Sequence, residues 1–189
     1  MIDKMMPEVR FNGFSEDWIK YKMRQIVSPV IREVPKPNRS YTRLSVRSHA
    51  KGTFHQRVEN PQSIAMTKLY VVREDDLIVN ITFAWEHAIA VATKDDDGLY
   101  VSHRFPTYRT NEKMDIEFLR YLVTQKEFKH KLDLISPGGA GRNRVLNKND
   151  FLELNVTIPN EVKEQQKIGE FLKKLDDRIA LQQRHTSNN

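Results

Sequence analysis

The end of this chain carries an amphipathic segment whose apolar side needs a packing partner. Four aliphatic residues recur there with separations of four, three and four, and an aromatic residue widens the stripe: Ile168, Leu172, Leu175, Ile179 and Phe171. This is the spacing of a heptad seam. A helix over residues 161–186 would be about 39 Å long. Because an isolated helix is marginal in water, the seam predicts packing against another protein or, alternatively, against its own domain.

The residues before this segment are predicted to form a body in which strands dominate. Runs rich in β-branched and aromatic residues predict strands at 41–46, 68–73, 77–83, 88–93, 99–102 and 151–158. Asp115 is the predicted N-cap of a helix that continues to Phe128. Residues 49–61 have the composition of a polar, basic loop. The pattern therefore predicts an α+β fold.

The boundary between body and terminal helix is marked by two residues. Pro159 ends the last predicted strand, and Asn160 is the predicted cap of the helix. This divides the chain into a body over residues 1–158 and a helix over residues 159–189.

The amino-acid composition limits the cross-links, metal sites and cellular locations that are possible for this chain. The 189 residues include no cysteine, which excludes disulfides and cysteine-based metal sites and fits a reducing compartment. The apolar runs are too short to span a membrane, and the N-terminus lacks the apolar core of a signal peptide. We therefore expect a cytoplasmic protein that makes no membrane contact.

The charge is unevenly distributed. Residues 36–73 hold eight basic residues and one acidic residue, whereas residues 74–97 hold seven acidic residues and one basic residue. A basic block this concentrated favours a polyanion such as nucleic acid. The alternative is a solvated loop that the acidic neighbour balances.

Several segments resemble the specificity subunits of bacterial type I restriction–modification systems, and they occur in the order expected for them. In the terminal helix region they are Ile158-Pro159, Glu164-Gln165-Gln166-Lys167-Ile168 and Leu175-Asp176-Asp177-Arg178-Ile179. Upstream they are 7–14 with Trp18, Asp76-Leu77-Ile78-Val79, 84–91, 98–102 and 136–144. The resemblance covers nearly the whole chain, and its terminal block is the most specific part.

The resemblance implies both a fold and a function. Residues 1–158 would be a target recognition domain with a twisted, mostly antiparallel β-sheet and flanking helices, which reads one half of a split sequence in double-stranded DNA. Residues 159–189 would be a shortened, coiled-coil-type helix that acts as a spacer and docks methyltransferase subunits, with the restriction subunit contacted indirectly. The chain itself would be noncatalytic and would bind no cofactor or metal, because S-adenosylmethionine belongs to the methyltransferase.

This family usually carries two recognition domains and two helices, and the present sequence resembles the first half. Two copies could therefore self-associate through the seam, and such a pair would read a palindromic split site. The alternative is a truncated half-subunit that acts only as an interaction or regulatory partner of the methyltransferase.

The basic block supplies the candidate DNA contacts. They combine guanidinium, hydroxyl, imidazole, amide and ammonium groups: Arg39, Tyr41, Arg43, Arg47, His49, Lys51, Thr53, His55, Gln56, Arg57 and Lys68. Arginine can bind guanine through two hydrogen bonds and glutamine can do the same for adenine, whereas Lys51 and Lys68 suit phosphate. For each residue taken singly, the alternative is an ordinary surface charge.

A glycine-rich loop is the second candidate surface. Gly138, Gly139, Arg142 and Arg144 could approach phosphate through backbone amides and guanidinium groups. No Gly-Lys-Ser/Thr follows, so this is not a nucleotide-binding loop. The alternative is an ordinary turn before a strand.

Enzyme motifs are weak. Asn60-Pro61-Gln62 lacks the Pro-Pro-aromatic continuation of an amino-methyltransferase, and Glu161-x-Lys163 falls in the first turn of a helix. The histidines show no tight ligand pair, and Trp85 and His87 are interpreted as structural. A small nuclease or other enzyme is therefore disfavoured.

Overall fold

The computed structural model describes residues 7–136, 138 and 144–187. Its strands are β1 (Trp18–Lys22), β2 (Val27–Val30), β3 (Glu33–Pro35), β4 (Tyr41–Val46), β5 (Thr53–Val58), β6 (Lys68–Val71), β7 (Leu77–Val79), β8 (Ile89–Val91), β9 (Tyr100–Val101), β10 (Thr107–Thr110) and β11 (Asn155–Pro159). Its α-helices are α1 (Ile116–Leu122), α2 (Lys126–Leu134), α3 (Lys148–Glu153) and α4 (Val162–Ser187). The predicted α+β fold with a long C-terminal helix is confirmed.

The strands of the described residues form three sheets. The largest has the order β3-β6-β9-β4-β5, the second has the order β2-β10-β7-β8, and β1 pairs with β11. All pairings are antiparallel except that of β4 with β9, which is parallel. The predicted mostly antiparallel arrangement is therefore correct.

Three apolar cores within the described residues hold the sheets and helices together, and the smallest contains Tyr41, Val58 and Leu69 of the five-stranded sheet. The largest core joins the four-stranded sheet to the helices and includes Leu77, Tyr108, Phe118, Phe128 and Phe151. The second core lies between the two larger sheets, where side chains from both pack together: Leu44, Val46 and Val101 with Ile78, Ala88 and Ala90. The five-stranded sheet is thus fixed on one face by its neighbour.

Several predicted boundaries are wrong. The predicted loop at 49–61 contains β5, and the predicted strand at 77–83 ends at Val79. The predicted strand at 151–158 begins as α3, because Asn147 caps that helix by accepting a hydrogen bond from the Asn149 amide at 2.8 Å.

The helix predicted from Asp115 is divided into α1 and α2. Asp115 is its N-cap, as predicted, because its carboxylate accepts a hydrogen bond from the Phe118 amide at 2.9 Å. Asn160 does not cap α4. Its side chain instead accepts from the Tyr21 hydroxyl at 2.9 Å, and the Glu161 carbonyl accepts the first helical hydrogen bonds.

The first turns of α4 pack on the body. Ile168 contacts the largest core, and α4 approaches α1 so closely that a Cβ on Gly169 would lie 2.9 Å from the Phe118 nitrogen. For this half of the helix, the alternative that the seam packs against its own domain is therefore correct, and packing against another protein is not needed. The later residues Leu175 and Ile179 remain 39% and 53% exposed. No helix in the described part of the chain is long and apolar enough to cross a membrane.

The N-terminal lead-in anchors the same half of α4. The Arg10 guanidinium donates two hydrogen bonds to the Glu164 carboxylate, at 2.6 and 2.7 Å. The Phe11 ring packs edge-on against Phe171 with centroids 5.6 Å apart, and Trp18 packs in the same way on Phe118 at 6.4 Å. These contacts fix the direction in which the helix leaves the domain.

Candidate nucleic-acid interface

β4 and β5 form a hairpin that carries most of the predicted DNA contacts. The two strands pair from Tyr41 opposite Val58 to Val46 opposite Thr53. The turn between them contains His49 and Ala50 at φ 62° and 52°. Their amides donate to the Glu86 and His87 carbonyls, both at 2.8 Å, so the turn is held against the domain.

Side-chain alternation divides the hairpin into an inner and an outer face. Leu44 and Val46 are buried against the second sheet, so Arg43, Ser45 and Gln56 lie on the opposite face. We call this the outer face; its members are Arg43, Ser45, Arg47, Phe54 and Gln56.

Hydrogen bonding and ring packing order the outer face. Arg43 Nε donates to Gln56 Oε1 at 2.9 Å. The Arg47 guanidinium lies 5.1 Å from the centroid of the Phe54 ring and also donates to the Thr53 carbonyl. The face therefore presents cationic donors in fixed positions, which suits base edges or phosphate.

Thr53 and His55 point to the inner face and bind a buried carboxylate. Asp96 accepts from Thr53 Oγ1 at 3.0 Å, pairs with His55 Nε2 at 2.8 Å, and accepts from the Thr93 amide at 2.7 Å. Burial alone would raise the pKa of Asp96, but the hydrogen bonds from His55, Thr93 and Thr53 outweigh it, and the pKa is lowered. Both predicted DNA contacts thus have a partner within the protein.

Other predicted contacts are divided between surface and interior. Tyr41 is 5% exposed and packs edge-on against Tyr100, with centroids 5.6 Å apart. Lys68 pairs with Glu33 at 2.6 Å, and this hydrogen bond raises the pKa of Lys68. Three further predicted residues are exposed on and beside the hairpin: Arg39, Lys51 and His49.

Arg57 is exposed as well, but its guanidinium is already engaged. It donates to the Ser40 hydroxyl and lies 3.4 Å from the Glu59 carboxylate. The carboxylate offsets part of its charge, so Arg57 contributes less positive potential than the sequence suggests.

Only part of the second candidate loop can be placed. Gly139 and Arg142 lie outside the described residues, whereas Gly138 is exposed. Arg144 packs over the Trp85 ring at 5.0 Å and donates to the Asp133 carboxylate, so it fastens the end of the loop to the body.

The structural interpretations of two residues in the 84–91 segment hold. His87 is 5% exposed and donates from Nε2 to the Val123 carbonyl at 2.6 Å, and burial lowers its pKa. Trp85 is partly buried beneath Arg144. Both side chains are thus held by contacts within the domain.

A cleft beside the outer face escaped the sequence prediction. It has a volume of about 560 Å³ and is lined by Arg43 and Arg47 on one side and by Phe83 and Glu86 on the other. Phe83 is 45% exposed, and Glu86 accepts from the Ser48 hydroxyl at 2.6 Å. The sequence predicted a strand that continues to Phe83, whereas the strand ends at Val79 and Phe83 lies in the turn region that follows.

Comparison with known proteins identifies the family. Residues 40–189, most of the chain, match the family described as the type I restriction modification DNA specificity domain. The chain belongs to that family. No curated protein matches it.

Solved structures of similar fold include specificity subunits. The HsdS subunit from Thermoanaerobacter tengcongensis has a TM-score of 0.68 at 19% identity, over 88% of this chain and 44% of that one. A structure described as the basis of complex assembly and conformational transition of the type I R-M system also has a TM-score of 0.68 at 19% identity, over 94% and 46%. The type I S subunit from M. genitalium has a TM-score of 0.61 at 17% identity, over 93% and 43%. This specificity domain spans less than half the length of each.

Proposed function

We propose that this specificity domain reads one half of a bipartite site in double-stranded DNA and directs methyltransferase subunits to it. The outer face of the hairpin supports the proposal most directly. Arg43 Nε donates a hydrogen bond to Gln56 Oε1. Within the described residues, the two Nη groups of Arg43 and the Nε2 group of Gln56 have no hydrogen-bond partner. The chain belongs to a DNA specificity family, and its surface holds a fixed group of hydrogen-bond donors. Together these two observations favour the reading of base edges.

The division of labour follows the two parts of the chain. Residues 1–158 form the DNA-reading unit, in which Arg39 and Lys51 contact phosphate beside the hairpin. Gly138, Gly139 and Arg142 are proposed as a second phosphate contact. Residues 159–189 dock the methyltransferase or a second copy through the exposed part of the seam. In this proposal the chain is noncatalytic, the methyltransferase binds S-adenosylmethionine, and the restriction subunit joins indirectly.

Methylome sequencing tests the proposal. Cells would express the chain with its methyltransferase as wild type, as an Arg43→Ala/Gln56→Ala double variant, and as Lys20→Ala. Lys20 is exposed on β1, outside the hairpin, and controls for the loss of a positive charge. We expect wild type and Lys20→Ala to methylate one sequence motif and the double variant to lose or change it. An unchanged motif in the double variant would contradict the proposal.

A second candidate function rests on the exposed part of α4. Leu175 and Ile179 are 39% and 53% exposed, which leaves an apolar part of the seam that is independent of the hairpin. The chain could then act only as an interaction or regulatory partner of the methyltransferase. In that case the hairpin double variant would inhibit or bind the methyltransferase as well as wild type does, and neither would confer a methylated motif.

A further inference from the structure

Arg43 and Gln56 form a single unit on the outer face. They lie directly opposite each other in the β4–β5 pairing, and Arg43 Nε donates to Gln56 Oε1 at 2.9 Å. Arg43 is also the position at which β4 pairs with Tyr100 of β9, so its backbone lies between two neighbouring strands. Both side chains line a shallow cleft of about 290 Å³.

The hydrogen bond between them determines what the unit can offer to a ligand. The Gln56 amide oxygen uses one of its two lone pairs to accept from Arg43 Nε, and its Nε2 group remains free to donate. Arg43 retains its two Nη groups, which also only donate. Within the described residues none of these three groups has a hydrogen-bond partner. The pair therefore presents three donor groups and only one remaining acceptor lone pair.

The charged residues beside Arg43 and Gln56 also favour a ligand that accepts hydrogen bonds. Arg57 and Glu59 line the same shallow cleft, but Glu59 lies 3.4 Å from Arg57 and is 77% exposed. The carboxylate in this lining is thus already paired with another guanidinium. The charged residues of this lining keep a net positive charge, which suits an acceptor-rich ligand.

We propose that Arg43 and Gln56 together read a guanine in the DNA site; this rests on the proposed function of the domain. Guanine presents two acceptors in the major groove, O6 and N7, which match a set of donors. Adenine presents N7 and an N6 donor, so it offers one acceptor fewer to this set of donors. The donor-rich pair therefore favours a joint guanine contact over the adenine contact expected for a lone glutamine.

Base analogues test this assignment. The chain in complex with its methyltransferase would be titrated with duplexes of the methylated motif, in which each guanine in turn is replaced by 7-deazaguanine. We expect one guanine at which this loss of N7 weakens wild-type binding about tenfold. In Arg43→Ala and Gln56→Ala the same replacement should have little further effect, because the donors are already missing.

Gln56→Glu separates reading from packing. A carboxylate can still accept from Arg43 Nε but offers no donor, so this variant should keep the fold and lose the preference for guanine. Thermal unfolding of each variant, with Lys20→Ala as control, verifies the fold. A variant that binds every duplex equally less well, including unrelated DNA, would indicate a phosphate contact and overturn the guanine assignment.

Two further outcomes are distinct. Equal sensitivity to 7-deazaguanine in wild type and all variants, or coupling of Gln56 to an adenine, overturns the assignment while leaving DNA recognition intact. A wild-type complex that prefers no sequence overturns the proposed function itself, and the guanine contact with it.

Discussion

A buried carboxylate, that of Asp96, connects the hairpin to the rest of the domain. It is 0% exposed and binds Thr53 and His55 of β5 as well as Thr93. Because strand side chains alternate, holding Thr53 and His55 inward turns Phe54 and Gln56 outward. Asp96 is thus a positioning residue for the outer face, although it contacts no ligand itself.

Replacing this carboxylate should loosen the hairpin. Asp96→Asn exchanges one acceptor oxygen for an NH₂ group that faces donors, and we expect a loss of roughly 2 kcal/mol in the free energy of unfolding. Urea unfolding at neutral pH would measure it. Asp95→Asn is the matched control, because Asp95 is adjacent and exposed. Equal stability of the two variants would contradict the role given to Asp96.

The same residue predicts a dependence on pH. The folded-state pKa of Asp96 lies below its ordinary value of 3.8, so the unfolded chain binds the proton more tightly. The stabilisation is therefore complete above the unfolded-state pKa and is lost as pH falls through the folded-state pKa. Urea unfolding between neutral pH and about pH 3 should show the gap between wild type and Asp96→Asn narrowing towards acid. A gap that widens would contradict this sign.

At the scale of elements, the contact between α4 and α1 depends on Gly169. A Cβ there would lie 2.9 Å from the Phe118 nitrogen and 3.0 Å from the Glu117 Cβ, so one helix must move to admit it. Glycine costs helix propensity, and it is used here because the two helices approach so closely.

Gly169→Ala should therefore destabilise the domain even though alanine favours helix. We expect a loss of about 1–3 kcal/mol in the free energy of unfolding, as for overpacked cores. Gln166→Ala, at an exposed position in the same helix, serves as the control. Thermal unfolding would measure both. Stabilisation by Gly169→Ala, which propensity alone predicts, would show that α4 is not held against α1.

The elements differ in how well the sequence predicts them. α4 is long and keeps its apolar period, so its extent was predicted to within one residue at each end. β5 was missed because its inner face carries Thr53 and His55, whose partner is a carboxylate rather than an apolar core. A strand with polar residues on both faces has no hydrophobic alternation to detect. Without that strand, the sequence could not show that Gln56 faces outward while His55 faces inward.

At the scale of the whole molecule, ion pairing decides which part of the basic block stays positive. Arg73 pairs with Asp97 at 3.2 Å, and Lys68 and Arg57 also have carboxylate partners. Five basic residues of the block have no carboxylate within ion-pair distance among the described residues. Lys36 donates instead to the Pro61 and Ile64 carbonyls, and the other four lie on or beside the hairpin: Arg39, Arg43, Arg47 and Lys51. Carboxylates therefore balance part of the basic block, whereas the hairpin keeps a net positive charge.

The hairpin and the exposed part of the seam belong to different elements, so their functions should be separable. Leu175→Asp places a charge in the seam at a position that is 39% exposed. It should abolish association with the methyltransferase or a second copy while the domain stays folded. Leu181→Asp makes the same substitution on the same helix outside the heptad spacing and should have a smaller effect.

Size-exclusion chromatography of each variant, alone and mixed with methyltransferase, measures association, and thermal unfolding verifies the fold. Because a seam partner must cover Leu175 but not the hairpin, Arg43→Ala should associate like wild type. Unchanged association of Leu175→Asp would show that the seam is not the docking surface.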